Sequence, residues 1–376
     1  MPADAKNSND SNKLLGLELI RFFSAFSVLI YHYKHFLYLA DRPVAFTREQ
    51  LPFYSALRLL YEHGHYGVQV FWCISGFIFF WKYKDLISER LLGPGKFFIL
   101  RFSRLYPLHI VTLVLVLGLQ TMYFSDHGFY FVYQENDFRH FLLQIFLASN
   151  WGFERGDSFN GPIWSVSVEV LVYLLFFLAL RHLSRSALIN LAVLAAFFGA
   201  KLIGFTSVIF DCCAFFYIGG LSAWATQTRV LASYRRPLRV CAFFILIVVP
   251  LTCIAIGIHH TKHFAFLFLL FYTPLLLYVA SSDFPTTIKA QTIITSAGNM
   301  TYSSYLLHFP IQLMIALVFS RLATPIPTYS NALFVTFICG TFFVSYFVYQ
   351  YFEMPAQGQI RAFAEGEKKR ALKLNS

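Results

Sequence analysis

The chain has 376 residues, of which 57% are hydrophobic and only 13% charged, and its mean hydropathy is +0.57. Soluble proteins average roughly 45–50% apolar and about 25% charged residues. This composition therefore excludes an ordinary soluble globule, which could not bury so much apolar surface. The 45 Phe and 22 Tyr suit lipid-facing surfaces and the two interfaces of a bilayer. We therefore expect an integral membrane protein whose first partner is the lipid bilayer.

The net charge of +11 would suggest nucleic-acid binding in a soluble protein. Here the Lys and Arg residues lie in short segments between apolar stretches, which is the pattern that encodes membrane topology. No nucleic-acid partner is therefore expected. The six cysteines lie within apolar stretches and show no CxxC spacing, so the sequence predicts neither a disulfide framework nor a zinc site.

Ten apolar stretches are long enough to span a bilayer, because crossing ~30 Å as a helix takes about 17–20 residues. A further apolar piece, residues 141–149, is too short to span and is interpreted as a re-entrant or interfacial segment. The expected fold class is all-α, a polytopic transmembrane helical bundle of about ten spans. These spans are predicted at residues 15–39, 66–83, 97–124, 163–182, 187–206, 208–226, 239–258, 263–281, 298–320 and 329–352.

Five basic segments fall on one side of the membrane when the short piece is not counted as a span. Because positively charged loops stay in the cytoplasm, both termini are predicted to be cytoplasmic, in what we expect to be a bacterial inner membrane. Three parts are expected: a disordered N-terminus (1–13), a membrane domain (14–356) and a basic tail (357–376). The basic segments are Lys6 with Lys13, residues 82–104, Arg181 with Arg185, residues 229–239 and residues 361–373.

The first span contains ionisable residues, each of which costs at least ~2.5–3.5 kcal/mol at the bilayer centre. Arg21 and His32 are 11 residues apart, so they share a helix face about 16 Å apart along the axis. Glu18 lies one turn before Arg21 and can pair with it. Two interpretations stay open. Both residues are functional, or Arg21 anchors the helix at the membrane surface while His32 hydrogen-bonds a neighbouring helix.

Further ionisable residues occur in the third, fourth and ninth spans. Arg101 and Arg104 share a helix face, and two guanidinium groups suit phosphate binding, with topology anchoring as the alternative. Glu169 lies among apolar neighbours, so it must be paired with a base or protonated. His308 lies near the middle of the ninth span and is either functional or a structural hydrogen-bonding residue.

Other classes of function predict features that the sequence does not show. A proton-coupled transporter also uses buried Arg, His and Glu, but it would be expected to carry an inverted repeat with paired broken helices. A metal site at His259, His260 and His263 lacks a nearby Asp, Glu or Cys, so no metal is expected. His63 and His65, in the first outer loop, either contact an acceptor or simply face water.

Six segments resemble, in the same order, the signatures of the acyltransferase-3 family of integral-membrane acyltransferases. The opening segment LGLELIRFFSAFSVLIYHY has the family's spacing of Arg, ten residues and His at Arg21 and His32. Two positions depart from the family pattern: Glu18 replaces the usual Asp, and Gln69 replaces an acid that is common in the second-span motif. The other segments are GVQVFWCISGFIFF, RFSRLYP, WSVSVE, TYSSYLLHFP and FEMP, which resembles the family's terminal Glu-x-Pro.

The resemblance implies transfer of an acyl group, typically acetyl from acetyl-CoA, to a hydroxyl of a cell-surface or secreted carbohydrate such as exopolysaccharide or O-antigen. Succinyl and other acyl groups, and small-molecule acceptors, are the alternatives within this class. No permanently bound cofactor is implied, because acyl-CoA is a substrate. A homo-oligomer or a separate polysaccharide-assembly protein is compatible with the family as a further partner.

The positions of the charged residues and the resemblance together lead to a hypothesis for the roles of individual residues. Arg21, Arg101 and Arg104 would bind the phosphates of acyl-CoA. His32 would act as a general base or would transiently accept the acyl group. Glu169 would orient the imidazole, transfer a proton or bind the sugar, and the sequence does not choose among these roles. The residues expected to support them are Glu18, Trp164, Ser165, Ser167, Tyr302 and His308.

Overall fold

The structure is a computed structural model that describes residues 14–182, 187–205, 207–228, 234–257, 264–282 and 286–374. Within these residues the chain is helical apart from loops and one antiparallel pair of two-residue strands, β1 (Tyr38–Leu39) and β2 (Arg42–Pro43). The described α-helices are α1 (Leu15–His32), α2 (Tyr54–His63), α3 (Gly67–Ser88), α4 (Pro94–His127), α5 (Phe138–Ile145), α6 (Ile163–His182), α7 (Ala187–Leu202), α8 (Val208–Gln227), α9 (Arg235–Ala255), α10 (Phe264–Ala280), α11 (Ile288–Asn299), α12 (Thr301–Arg321), α13 (Asn331–Val348) and α14 (Met354–Leu374).

The predicted class of an all-α polytopic membrane protein is confirmed. A helix lies in each of the ten predicted spans, and seven helical segments of the described chain are at least 18 residues long and apolar enough to cross a bilayer. The short apolar piece forms α5, whose 8 residues are too few to cross. The predicted N-terminus (1–13), together with Arg185 and Arg229, lies outside the described residues.

The predicted basic tail continues the last span without a break. A π-helical turn, Tyr349–Glu353, joins α13 to α14, and α14 runs to Leu374. The expected boundary after residue 356 therefore falls inside a helix. A π-turn adds one residue to a helical turn and is frequent at functional sites, and this one presents Glu353 to the protein interior.

Among the described helices, α3 and α8 make the most extensive close contact. A Cβ added at Gly76 would lie 1.8 Å from the carbonyl oxygen of Phe216, and one added at Gly219 would lie 2.0 Å from the carbonyl oxygen of Cys73. Small residues that let backbones approach are the usual solution for helix pairs in lipid, where no hydrophobic effect drives association. Phe79 packs edge-on against Phe216 at 5.5 Å beside this contact.

Helix α1 lies inside the bundle rather than at its edge. It packs against α2, α3, α10, α11, α12 and α13. Its buried residues include Ser24, Ala25 and Val28, so small and apolar side chains line the face that contacts its neighbours. Because α1 is surrounded in this way, Arg21 and His32 face other parts of the protein.

We predict that Gly76→Ala destabilises the protein, because its methyl group would overlap the α8 backbone. Overpacking of this kind typically costs about 1–3 kcal/mol, so the thermal unfolding temperature of the detergent-purified protein should fall. Gly340→Ala in α13 is the matched control, since nothing lies within 4 Å of a Cβ added there. Equal unfolding temperatures for the two variants would contradict close packing of α3 against α8.

Candidate functional site

A cleft opens between α1, α3, α4, α6 and α12. Its lining includes the three arginines that the sequence predicted as a phosphate-binding group, Arg21, Arg101 and Arg104, and also Glu169. We call it the arginine cleft. The rest of its wall is largely apolar and aromatic, so few other polar side chains would compete with an anionic ligand for the arginines. The other lining residues are Val68, Phe71, Trp72, Ser75, Ile78, Phe79, Leu105, Ser165, Val166, Tyr173, Thr301, Tyr302 and Tyr305.

Two of these arginines are held by partners that lie close by in sequence or on the neighbouring helix. The Arg21 Nη1 atom lies 3.3 Å from Oε2 of Glu18, as the sequence predicted. Arg101 donates a hydrogen bond of 2.7 Å to the hydroxyl of Tyr83. Its guanidinium carbon also lies 4.8 Å from the ring centroid of Phe79, a cation–π contact. The Arg101 Nε atom is enclosed without a partner in the described protein, so part of its donor capacity is free for a ligand.

Arg104 is held by Glu353, to which the sequence interpretation gave no role. Glu353 lies on the π-helical turn and is only 1% exposed. One carboxylate oxygen lies 3.6 Å from Nη1 of Arg104. The carboxylate also accepts hydrogen bonds from Ser303 at 2.6 Å and from Gln357 at 3.2 Å. The FEMP segment was the sequence signal for this residue, and the structure connects it to the arginine motif of α4.

Glu169 lies in the arginine cleft rather than beside His32. Its carboxylate accepts a hydrogen bond of 2.6 Å from Tyr173, one turn further along α6. Among the described residues, no hydrogen bond joins Glu169 to His32. The arrangement therefore places a carboxylate next to the site where the arginines would bind anionic groups.

His32 lies in a stack of three imidazole rings. Its ring centroid is 4.7 Å from that of His35 and 4.9 Å from that of His308, with an angle of only 4° between the planes of His32 and His308. We call His35, His32 and His308 the histidine stack. The Nδ1 atom of His32 and both ring nitrogens of His308 are enclosed without a hydrogen-bond partner in the described structure. Buried nitrogens without partners are rare in proteins and are often functional.

Gln312 determines which nitrogen of His35 carries a hydrogen. Its amide nitrogen donates a bond of 2.8 Å to the backbone carbonyl of His32, so its amide oxygen must be the atom that faces His35. That oxygen lies 3.2 Å from Nδ1 of His35. Because a carbonyl oxygen only accepts, Nδ1 of His35 must be protonated. Neither His35 nor Gln312 was singled out from the sequence, since each is unremarkable until α1 and α12 meet.

Tyr305 connects the arginine cleft to the histidine stack. Its hydroxyl lies 2.7 Å from the hydroxyl of Ser165, and both residues line the cleft. The ring of Tyr305 lies 6.0 Å from that of His308, which is the outermost member of the stack on this side. The predicted arginines and the predicted histidines therefore belong to two adjoining compartments with one tyrosine at their boundary.

The remaining predicted residues lie around these compartments. Tyr302 lines the cleft and ties α12 to α4 by donating a bond of 2.6 Å to the carbonyl of Leu105. Trp164 packs edge-on against Trp72 at 5.7 Å, behind the cleft wall. Ser167 faces the loop before α6, where its hydroxyl accepts a bond of 3.1 Å from the Asn150 amide. Ser167 and Trp164 therefore support the site from outside the cleft.

One group in the described chain has the composition of a metal site, namely Glu135, Asp137 and His140. Both ring nitrogens of His140 are already used, because Nδ1 contacts Asp137 at 2.7 Å and Nε2 accepts from the Arg155 amide at 3.1 Å. The His140 backbone amide, aided by its ring, holds the pKa of Asp137 below its usual value. This group therefore caps α5 and organises the loop. His259, His260 and His263 lie outside the described residues.

We predict that Glu353→Ala destabilises the protein, because it leaves the guanidinium of Arg104 and the hydroxyl of Ser303 without their acceptor. Loss of a buried charged acceptor costs about 1–3 kcal/mol, measurable as a lower unfolding temperature. Adding Arg104→Leu should recover part of that loss. Asp126→Ala is the matched control, since its ion pair with Arg321 is exposed and such pairs contribute about 0–1 kcal/mol. Equal losses for Glu353→Ala and Asp126→Ala would contradict the pairing.

Comparison with known proteins agrees with this architecture. A profile described as an acyltransferase domain, the acyltransferase-3 family, matches residues 14–350. A curated protein named acyltransferase MdmB, from Streptomyces mycarofaciens, is 28% identical over 166 residues. That alignment covers 44% of this chain and 38% of the relative, so it spans well under half of either. No solved structure matches the chain. Because the profile match extends from the start of α1 into the π-helical turn, the chain belongs to the acyltransferase-3 family of integral-membrane acyltransferases.

Proposed function

We propose that this protein transfers an acyl group from acyl-CoA, with acetyl-CoA as the expected donor, to a hydroxyl of a cell-surface or secreted carbohydrate. The observation that supports this most is the juxtaposition of the arginine cleft with the histidine stack through Tyr305. One compartment suits a phosphate-rich donor, and the other contains groups that can move a proton. Membership of the acyltransferase-3 family supports the same class of reaction.

The arginine cleft suits the donor by its charge and by the apolar character of its wall. Coenzyme A carries three phosphate groups, and three arginine side chains line the cleft. Guanidinium groups bind phosphate through paired hydrogen bonds, and they remain charged in a low-dielectric site. The apolar wall of the cleft suits the pantetheine arm, which would extend past Tyr305 toward the histidines.

The histidine stack supplies the proton transfer in this proposal. His32 removes the proton from the acceptor hydroxyl as that oxygen attacks the thioester carbonyl. The carbon–sulfur bond then breaks, and the proton on His32 passes to the departing thiolate, so the products are the ester and free coenzyme A. Transient acylation of His32 is the alternative path. In either path, His35 and Gln312 would hold the imidazole of His32 in place.

The distribution of charge supports an orientation for this reaction. The arginine cleft lies at the end of the bundle that includes the basic start of α4, and positively charged segments favour the cytoplasmic side. The donor would therefore enter from the cytoplasm, and both chain termini would lie there too. A bacterial inner membrane is the proposed location, with the acceptor on the opposite side.

We predict that His32→Ala abolishes acyl transfer while membrane-inserted protein is retained. General acid–base catalysis contributes about 10²–10⁴-fold, so the O-acyl content of the surface polysaccharide should fall below detection. Mass spectrometry of that polysaccharide, from cells that lack the gene and are complemented with each variant, measures this directly. His182→Ala is the control, because His182 lies exposed at the end of α6.

An O-acyl increment that survives in the His32→Ala strain would overturn the role of His32. A glycan that is unchanged when the gene is deleted, accompanied by altered small-molecule flux, would instead support a membrane carrier. The identity of the lost increment, for example acetyl or succinyl, would establish the acyl group at the same time.

A further inference from the structure

A second cleft lies beyond the other end of α1. It is formed by the turn that follows α1, the loop that leads to α2, and α2 itself. We call it the outer cleft. Its lining combines charged and aromatic side chains, a composition that differs from the apolar wall of the arginine cleft. The lining residues are Tyr31, Lys34, Phe46, Arg48, Leu51, Tyr54, Tyr61, Glu62 and His63.

The outer cleft reaches the histidine stack from the side opposite to the arginine cleft. Tyr31 lines it, and the ring of Tyr31 lies edge-on to that of His32 at 5.4 Å. Arg21, in the arginine cleft, is ten residues earlier on the same helix, about 15 Å away along the axis. The outer cleft therefore approaches the histidine stack through Tyr31 and His32, whereas the arginine cleft approaches it through Tyr305 and His308.

Two cations in the outer cleft form no ion pair within 4 Å in the described chain. The Lys34 ammonium lies 4.0 Å from the centroid of the Tyr31 ring, and no carboxylate of a described residue lies within 4 Å of it. Arg48 is exposed at the rim and likewise pairs with no described carboxylate. Unpaired cations that face one cavity favour an anionic ligand.

The carboxylate that lines this cleft is already engaged. Glu62 accepts a hydrogen bond of 2.7 Å from the Tyr54 hydroxyl and another of 3.2 Å from Nε of Arg58. Its single negative charge also acts on Lys34 at longer range, but it is shared with Arg58 and cannot balance both Lys34 and Arg48. The cleft keeps a positive surplus that a ligand would meet.

Aromatic rings form much of the remaining wall. Tyr31, Phe46, Tyr54 and Tyr61 line the cleft together. The C–H face of a pyranose ring packs on such rings, and its hydroxyls exchange hydrogen bonds with phenol groups. Rings that are apolar on the face and polar at the tip suit ligands of mixed character. A sugar with an anionic substituent matches both the rings and the two cations.

We infer that the outer cleft is the acceptor site and that the acceptor is an acidic saccharide, a sugar with an anionic group near the hydroxyl that is acylated. Lys34 and Arg48 bind the anionic group, and the ring packs against the tyrosines, which brings a hydroxyl toward His32. The inference that this ligand is the acceptor rests on the proposed function. The inference that an acidic sugar binds in the outer cleft does not.

Calorimetric titration of the full chain in lipid nanodiscs tests the binding. The probes are methyl β-glucuronide, methyl β-glucoside and methyl β-glucoside 6-phosphate, so the carboxylate, neutral and phosphate forms are compared on one sugar. We expect at least one anionic probe to bind about tenfold more tightly than the neutral one, and the better anion identifies the substituent. Equal affinity for all three probes would overturn the inference.

Lys34→Gln and Arg48→Gln should each remove most of that preference and leave affinity for the neutral sugar unchanged. Arg48 is exposed, so its replacement should not disturb folding. Arg42→Gln is the matched control, because it removes the same charge from a side chain that is 88% exposed and does not line the cleft. A preference for the anionic sugar that survives in both cleft variants would overturn the inference. So would a preference that is lost in nanodiscs containing anionic lipid, if the sugars do not compete with that lipid for the cleft.

An acyl-transfer assay with the same probes separates this inference from the proposed function. Transfer to none of the sugars, with charge-dependent binding retained, would support the binding site and count against the proposed function. Transfer that proceeds at wild-type rate and with wild-type preference in Lys34→Gln and Arg48→Gln would support the function and overturn the acceptor site.

Discussion

The free-energy cost of placing a charge in the bilayer interior constrains this structure more than any single contact does. A residue that is charged within the spans needs a partner from the protein, since lipid offers none. The ion pair between Arg104 and Glu353 is the clearest case, because it ties the start of α4 to the π-helical turn near the end of the chain. Without that pair, a positive charge next to the apolar wall of the arginine cleft would lack compensation.

The same constraint gives the centre of the molecule its two-sided character. Arg21 and His32 lie on one helix, and six other helices surround it. Arg21 lines one cleft, and Tyr31, whose ring contacts that of His32, lines the other. A bundle with this layout can hold an acyl donor on one side and an acceptor on the other, with one imidazole between them.

Sequence reasoning found the residues whose type is unusual for their surroundings. Charges in apolar stretches are conspicuous, so Arg21, Arg101 and Glu169 could be singled out, and the structure brings all three to one cleft. Residues that are ordinary in type could not be found in this way. His35 matters because Gln312, 277 residues later, meets it. No periodicity along one helix encodes a contact between residues of two distant helices. The position of the π-helical turn could not be predicted from periodicity either.

The two-sided arrangement is tested by measuring on which face of the membrane each substrate must be supplied. The purified protein is reconstituted in vesicles with one orientation, verified by protease access to a terminal tag. Labelled acetyl-CoA is supplied on one face only and acceptor saccharide on the other. We expect labelled acceptor to form only when acetyl-CoA is on the face that carries Arg101 and Arg104. Transfer with the donor on the opposite face, or only when both substrates share one face, would contradict it.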